Sequence, residues 1–89
     1  MLKKVYKFSG DYEKLKELGF LKYPFLIDGL PMFTKLGINY SICIYDYVSV
    51  KIYNESVGMT YTSPEIVKDY IQDLISNKLV KIKKIKEEV

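Results

Sequence analysis

Eighty-nine residues supply one domain, and 48% hydrophobic, 15% aromatic and 28% charged side chains exclude a disordered polyampholyte, a collagen-like repeat and a disulfide scaffold. Fourteen basic residues, all of them lysine, stand against eleven acids and leave a net charge of +3. That is mildly basic, short of the dense positive stripe that non-specific nucleic-acid binding normally needs.

The chain reads as a single small domain over 1–89, with no repeat or linker dividing it. Lys3 to Phe8 predicts a short strand with Val5 on one face and Tyr6 and Phe8 on the other. Asp11 is a good N-cap for a short helix that lines up Tyr12, Leu15 and Leu18, with Gly19 as its stop. Phe20 to Ile27 is apolar but holds Pro24, which predicts an edge strand or an irregular extended segment. Asp28-Gly29 marks a turn, and the segment from about Asp28 to Asn39 reads as a loop whose apolar content places it against the body.

The clearest strand signal runs from Asn39 to Tyr53. A three-residue connection, Tyr45-Asp46-Tyr47, pairs Ile44 with Val48, Ile42 with Val50 and Tyr40 with Ile52, and so buries one consistent face. A turn over Asn54 to Gly58 leads to a short strand from Met59 to Tyr61, completing an antiparallel meander. Thr62-Ser63-Pro64-Glu65 then has the pattern of a capped helix start, with Glu65 placed to reach back to the cap. The helix expected from Pro64 to Ser76 carries Ile66, Val67, Tyr70, Ile71, Leu74 and Ile75 on one face, and Asn77 is its expected left-handed terminator. Leu79 to Ile85 alternates enough for a last strand, leaving Glu87 and Glu88 as a frayed end. The expected fold is α+β: an antiparallel sheet of about four to five strands packed on one main helix, plus a short N-terminal helix.

Little in this inventory carries chemistry. With no His there is no Ser/His or Cys/His pair, and the lone Cys43 lies mid-strand between Ile42 and Ile44 as a small hydrophobe. Only carboxylates remain as metal ligands, and neither an Asp-rich loop nor a glycine-rich phosphate loop occurs. The expectation is a protein that is not an enzyme and takes no metal or cofactor. One unpaired cysteine, no signal peptide and no apolar run long enough to cross a bilayer point to the cytoplasm, away from the membrane.

The feature that does stand out is tyrosine. If the Ile/Val face is covered, Tyr45, Tyr47, Lys51 and Tyr53 point outward beside Ser41 and Ser49, as amphipathic anchors for a protein partner or a second copy of the chain. Cross-strand tyrosines also simply stabilise an exposed sheet face, or lie under the segment around Leu30 to Leu36. The alternative function is a Lys/Tyr nucleic-acid-binding accessory protein, with Lys78, Lys81, Lys83 and Lys84 as its phosphate contacts. Without arginine, base-specific reading is disfavoured.

Gly10-Asp11-Tyr12-Glu13-Lys14-Leu15-Lys16-Glu17-Leu18-Gly19-Phe20, and Asp69-Tyr70-Ile71-Gln72-Asp73-Leu74-Ile75 followed by Leu79-Val80, carry a whole-chain resemblance in style. The chain resembles small orphan proteins of phages and mobile elements of low-GC Gram-positive bacteria. The resemblance implies a small non-catalytic binder in the host cytoplasm, in some cases an inhibitor that occludes a defence effector such as a CRISPR nuclease.

Overall fold

The computed structural model describes residues 2–55 and 57–86. The expectations for Glu87 and Glu88, and for Ser56 in its turn, fall outside the described residues. Within them the chain is α+β and holds two antiparallel sheets. The larger has five strands in the order β2 (Leu21–Lys22), β3 (Phe33–Leu36), β4 (Tyr40–Ile44), β5 (Val48–Asn54) and β6 (Val57–Tyr61). The smaller is a ribbon that pairs β1 (Leu2–Phe8) with β7 (Val80–Lys86).

The β4–β5 hairpin has the expected register, with Ile44 opposite Val48, Ile42 opposite Val50 and Tyr40 opposite Ile52. The covered face of the larger sheet holds Phe33 of β3 with Ile42, Ile44, Val48 and Val50 of the hairpin, all buried. Tyr6, Leu79 and Val80 of the ribbon region, Leu15 of α1 (Tyr12–Glu17), and Val67, Ile71 and Leu74 join the same core cluster. Helix α1 begins at Asp11, whose carboxylate accepts from the Lys14 amide at 3.3 Å, and is followed by Gly19 at φ 93°. At the tip of the hairpin, Lys7 Nζ lies 2.7 Å from Asp46 Oδ2 and the Phe8 amide donates to the Asp46 carbonyl, so β1 and the tip are tied together.

The expected single helix from Pro64 to Ser76 does not form. Instead α2 (Pro64–Val67) passes into a 3-10 turn (Lys68–Tyr70), Ile71 leaves helical geometry at φ −127°, ψ 33°, and α3 (Gln72–Ser76) starts afresh. The run Ile66, Val67, Tyr70, Ile71 is poor in helix propensity, so packing decides its path. Tyr70 meets the Tyr40 ring edge-on at 4.8 Å, and the break lets Val67, Ile71 and Leu74 all be buried. Gln72 Nε2 donates to the Lys68 carbonyl at 2.8 Å, the acceptor that its own amide would take in a continuous helix. Two expected end signals also differ. Ser63 is the N-cap of α2 but makes no side-chain cap bond, and the left-handed residue after α3 is Lys78 at φ 58°, not Asn77.

The segment from Asp28 to Asn39 also departs from expectation, because it contributes strand β3 and only Phe33 within it is buried. The polarity of β3 is inverted in its second half. Lys35 stands on the covered side, where its Nζ donates to the Leu18 carbonyl at 2.9 Å and lies 3.5 Å from Asp73 Oδ2, while Leu36 faces outward and is 80% exposed.

Because Ile71 bridges the break and has no exposed surface, Ile71→Ala should lower the unfolding free energy by ~2–5 kcal/mol in urea titrations. Ile66→Ala, at a position 37% exposed, should cost less than ~1 kcal/mol in the same measurement.

Candidate functional site

The four tyrosine-face residues do not gather into one cluster. Tyr45 and Tyr47 are half-buried at the hairpin tip, and Lys51 and Tyr53 are exposed near the other end of β5. Six residues of strand, roughly 20 Å, separate Tyr47 from Tyr53. Tyr45 donates its hydroxyl to Asp28 Oδ2 at 3.1 Å and lines a small cavity with Phe8, Tyr12, Leu30 and Pro31. Partial desolvation, then the bond to the Asp28 carboxylate and its charge, push the Tyr45 phenol above its ordinary pKa. Tyr47 is bridged to Lys7 of β1. These two tyrosines therefore hold neighbouring segments, whereas Lys51 and Tyr53 lie on the open face, with the Lys51 ammonium 5.6 Å from the Tyr53 ring centre.

The open face can be read from the strand register. Leu36, Ser41, Lys51 and Thr60 form one row across β3 to β6, and Leu21, Thr34, Cys43 and Ser49 form another. At its β2 edge this face runs into a hairpin arm that the sequence reading missed. Leu21 pairs with Thr34, the Tyr23 amide donates to the Met32 carbonyl at 2.7 Å, and Ile27 and Leu30 exchange backbone bonds of 2.8 and 2.9 Å. Asp28 and Gly29 both have positive φ, 50° and 81°, as a two-residue hairpin turn of the primed type requires. The arm is thus a defined backbone structure, yet its side chains are bare. Leu21 is 74%, Phe25 68% and Leu26 60% exposed, with Tyr23, Ile27 and Leu30 beside them.

In the sequence this arm is an apolar run with no period of 2 or 3.6, interrupted by Pro24. Such a run cannot bury one face, and that lack of period was the available signal.

Lys81, Lys83 and Lys84 lie on β7, and Lys78 in the turn before it, all exposed, and β7 belongs to a different sheet from the arm's strands β2 and β3. Among the described residues no group of three or more Cys, Asp or Glu side chains converges to hold a metal ion, and no helix is long and apolar enough to cross a membrane. No protein-family model matches the chain, and no curated protein or solved structure matches it.

Cys43 sits opposite Ser49, and burial pushes its thiol pKa up while the Ser49 hydrogen bond pulls it partly back. The folded thiol therefore keeps its proton more firmly than the unfolded one. Its contribution to stability is complete below the unfolded value of about 8.5 and is lost as pH rises through the higher folded value. Urea midpoints should fall over that alkaline window, and Cys43→Ser should remove that part of the fall. The thiol should also react with a disulfide reagent more slowly in the folded than in the unfolded chain.

Proposed function

We propose that this chain is a non-catalytic protein-binding module whose contact surface is the β2–β3 arm together with the open sheet face beside it. The observation that carries this reading is the exposure of Leu21, Phe25 and Leu26 on a hydrogen-bonded hairpin. Large apolar side chains left bare together on one short arm are costly to keep in water and are characteristic of interaction sites. The chain exposes 6395 Å², against roughly 5400 Å² for a compact monomer of 10.4 kDa. Phe25 and Tyr23, whose ring centres lie 6.1 Å apart edge to face, are the aromatic anchors, and Lys51 and Tyr53 form the more polar margin.

A module of this type acts by covering a surface of its partner. The resemblance to mobile-element proteins adds the use to which occlusion would be put: inhibition of a host protein such as a CRISPR-type defence effector, in the cytoplasm. Self-association through the same arm is the second form the reading takes, since a β2 edge of two residues leaves backbone groups available for pairing.

A photo-crosslinking residue placed at Phe25 or Leu26 in living host cells tests the proposal. It should join the chain to one protein, or to a second copy of itself, whereas the same residue at Lys16 on α1 should not. Phe25→Asp in a chain that keeps its folded spectrum should weaken that association at least tenfold, the loss of a buried aromatic anchor of ~2 kcal/mol or more. Equal labelling from positions 25 and 16 would rule out the arm as a specific surface.

A further inference from the structure

The charge of +3 conceals a sharp segregation. The two strands of the β1–β7 ribbon carry Lys3, Lys4 and Lys7 on one and Lys81, Lys83, Lys84 and Lys86 on the other, with no acidic residue in either. These are seven of the fourteen lysines. The rest of the chain therefore sets seven lysines against eleven acids and is net −4, with Glu87 and Glu88 following β7 in the sequence. The register makes the concentration more extreme, because Lys4 stands directly opposite Lys84 and Lys7 opposite Lys81. Like charges in such cross-strand pairs oppose the ribbon's formation. Among the described residues, Lys7 alone of the seven is paired with a carboxylate.

Where the ribbon meets the body it is covered, at Val5, Tyr6 and Val80. Beyond Val80 both faces of β7 are open, since Lys81 and Lys83 on one and Ile82 and Lys84 on the other are all exposed. Lysines do blunt exposed strand edges against aggregation, but one or two suffice, and a mixture of signs would do it without the repulsion. Seven residues of strand give a ribbon about 23 Å long. A two-stranded ribbon is an element that the roughly 12 Å wide major groove of a duplex admits, and the groove offers phosphates on both walls. Exposed cations on both faces of β7 suit two walls. A flat anionic bilayer would meet only one face.

We propose that the β1–β7 ribbon is a sequence-independent binding element for the phosphate backbone of double-stranded nucleic acid. Lysine supplies point charges without the planar fork that reads guanine, so the contacts position the chain and do not select a sequence. This surface is separate from the apolar arm, and the inference does not depend on what the arm binds.

Fluorescence anisotropy of the full chain with two short DNA duplexes of unrelated sequence is the test. Both should bind alike, with log affinity falling against log salt at a slope of about −4 to −6, as four to six phosphate contacts require. Lys81→Gln with Lys83→Gln should weaken binding at least tenfold at about 50 mM salt and reduce the slope by about 2. Lys14→Gln with Lys16→Gln, on α1, should change affinity less than twofold. Circular dichroism and urea midpoints confirm that each variant is folded, and Lys84→Gln gives a second ribbon variant if the double one is not. The proposal is overturned by no binding at about 50 mM salt, by ribbon variants that bind like the parent, or by an equal loss in the α1 variant. Tighter binding to single strands, or to vesicles containing phosphatidylserine, than to the duplex overturns it as well.

Discussion

A slip of one residue between β4 and β5 would carry Ile42, Ile44, Val48 and Val50 from the covered face of the sheet to the open one. That register is the constraint on which the remaining structure rests. It sets the apolar face against which the ribbon, the first helix and the broken helical segment all pack. It also decides what is left outside: Cys43, Ser49 and Lys51 on the open face follow from the same alternation that buries their neighbours. The tip of this hairpin gains a second attachment through Asp46, which meets both the Lys7 ammonium and the Phe8 amide, so the two sheets are held together at the turn.

What could be read in the sequence were the places where one physical requirement acts alone. The β4–β5 register follows from parity, and α1 from its cap and its terminating glycine. The Asp28-Gly29 turn follows from the two positive φ values that those residues tolerate. The unreadable places are those where tertiary contacts override local pattern. Lys35 on the covered side of β3 looks like a surface residue until the Leu18 carbonyl and Asp73 are brought beside it. The segment from Pro64 to Ser76 has a helical apolar stripe, yet burying Val67, Ile71 and Leu74 against a twisted sheet favours two short helices with a break at Ile71. The pairing of β1 with β7 had no local signal, because its partners lie at opposite ends of the sequence.

The candidate surfaces were legible to a similar, uneven degree. Parity places Lys51 and Tyr53 on the open face, while Tyr45 meets the other alternative, bonded to Asp28 and lining a cavity with Leu30 and Pro31. Apolar content between Asp28 and Asn39 points to packing against the body, whereas Leu30, Leu36 and Ile38 are exposed and only Phe33 of that segment is buried. Net charge is a sum over the chain and cannot reveal that lysines far apart in the sequence come to lie on one ribbon whose two strands hold no acid.

The antiparallel pairing of Leu2 with Lys86 has a consequence in time. During synthesis β1 emerges more than seventy residues ahead of its partner strand, so at about 5–20 residues per second it waits several seconds with Val5 and Tyr6 uncovered. The five-stranded meander has no such delay, since each of its strands pairs with a neighbour close in sequence. The molecule should therefore assemble its sheet while still growing and close its ribbon only afterwards, at the entropic cost of joining segments more than seventy residues apart. A lysine surface built from both strands thus exists only once β7 has been made and has paired with β1, and a chain cut before β7 does not present it.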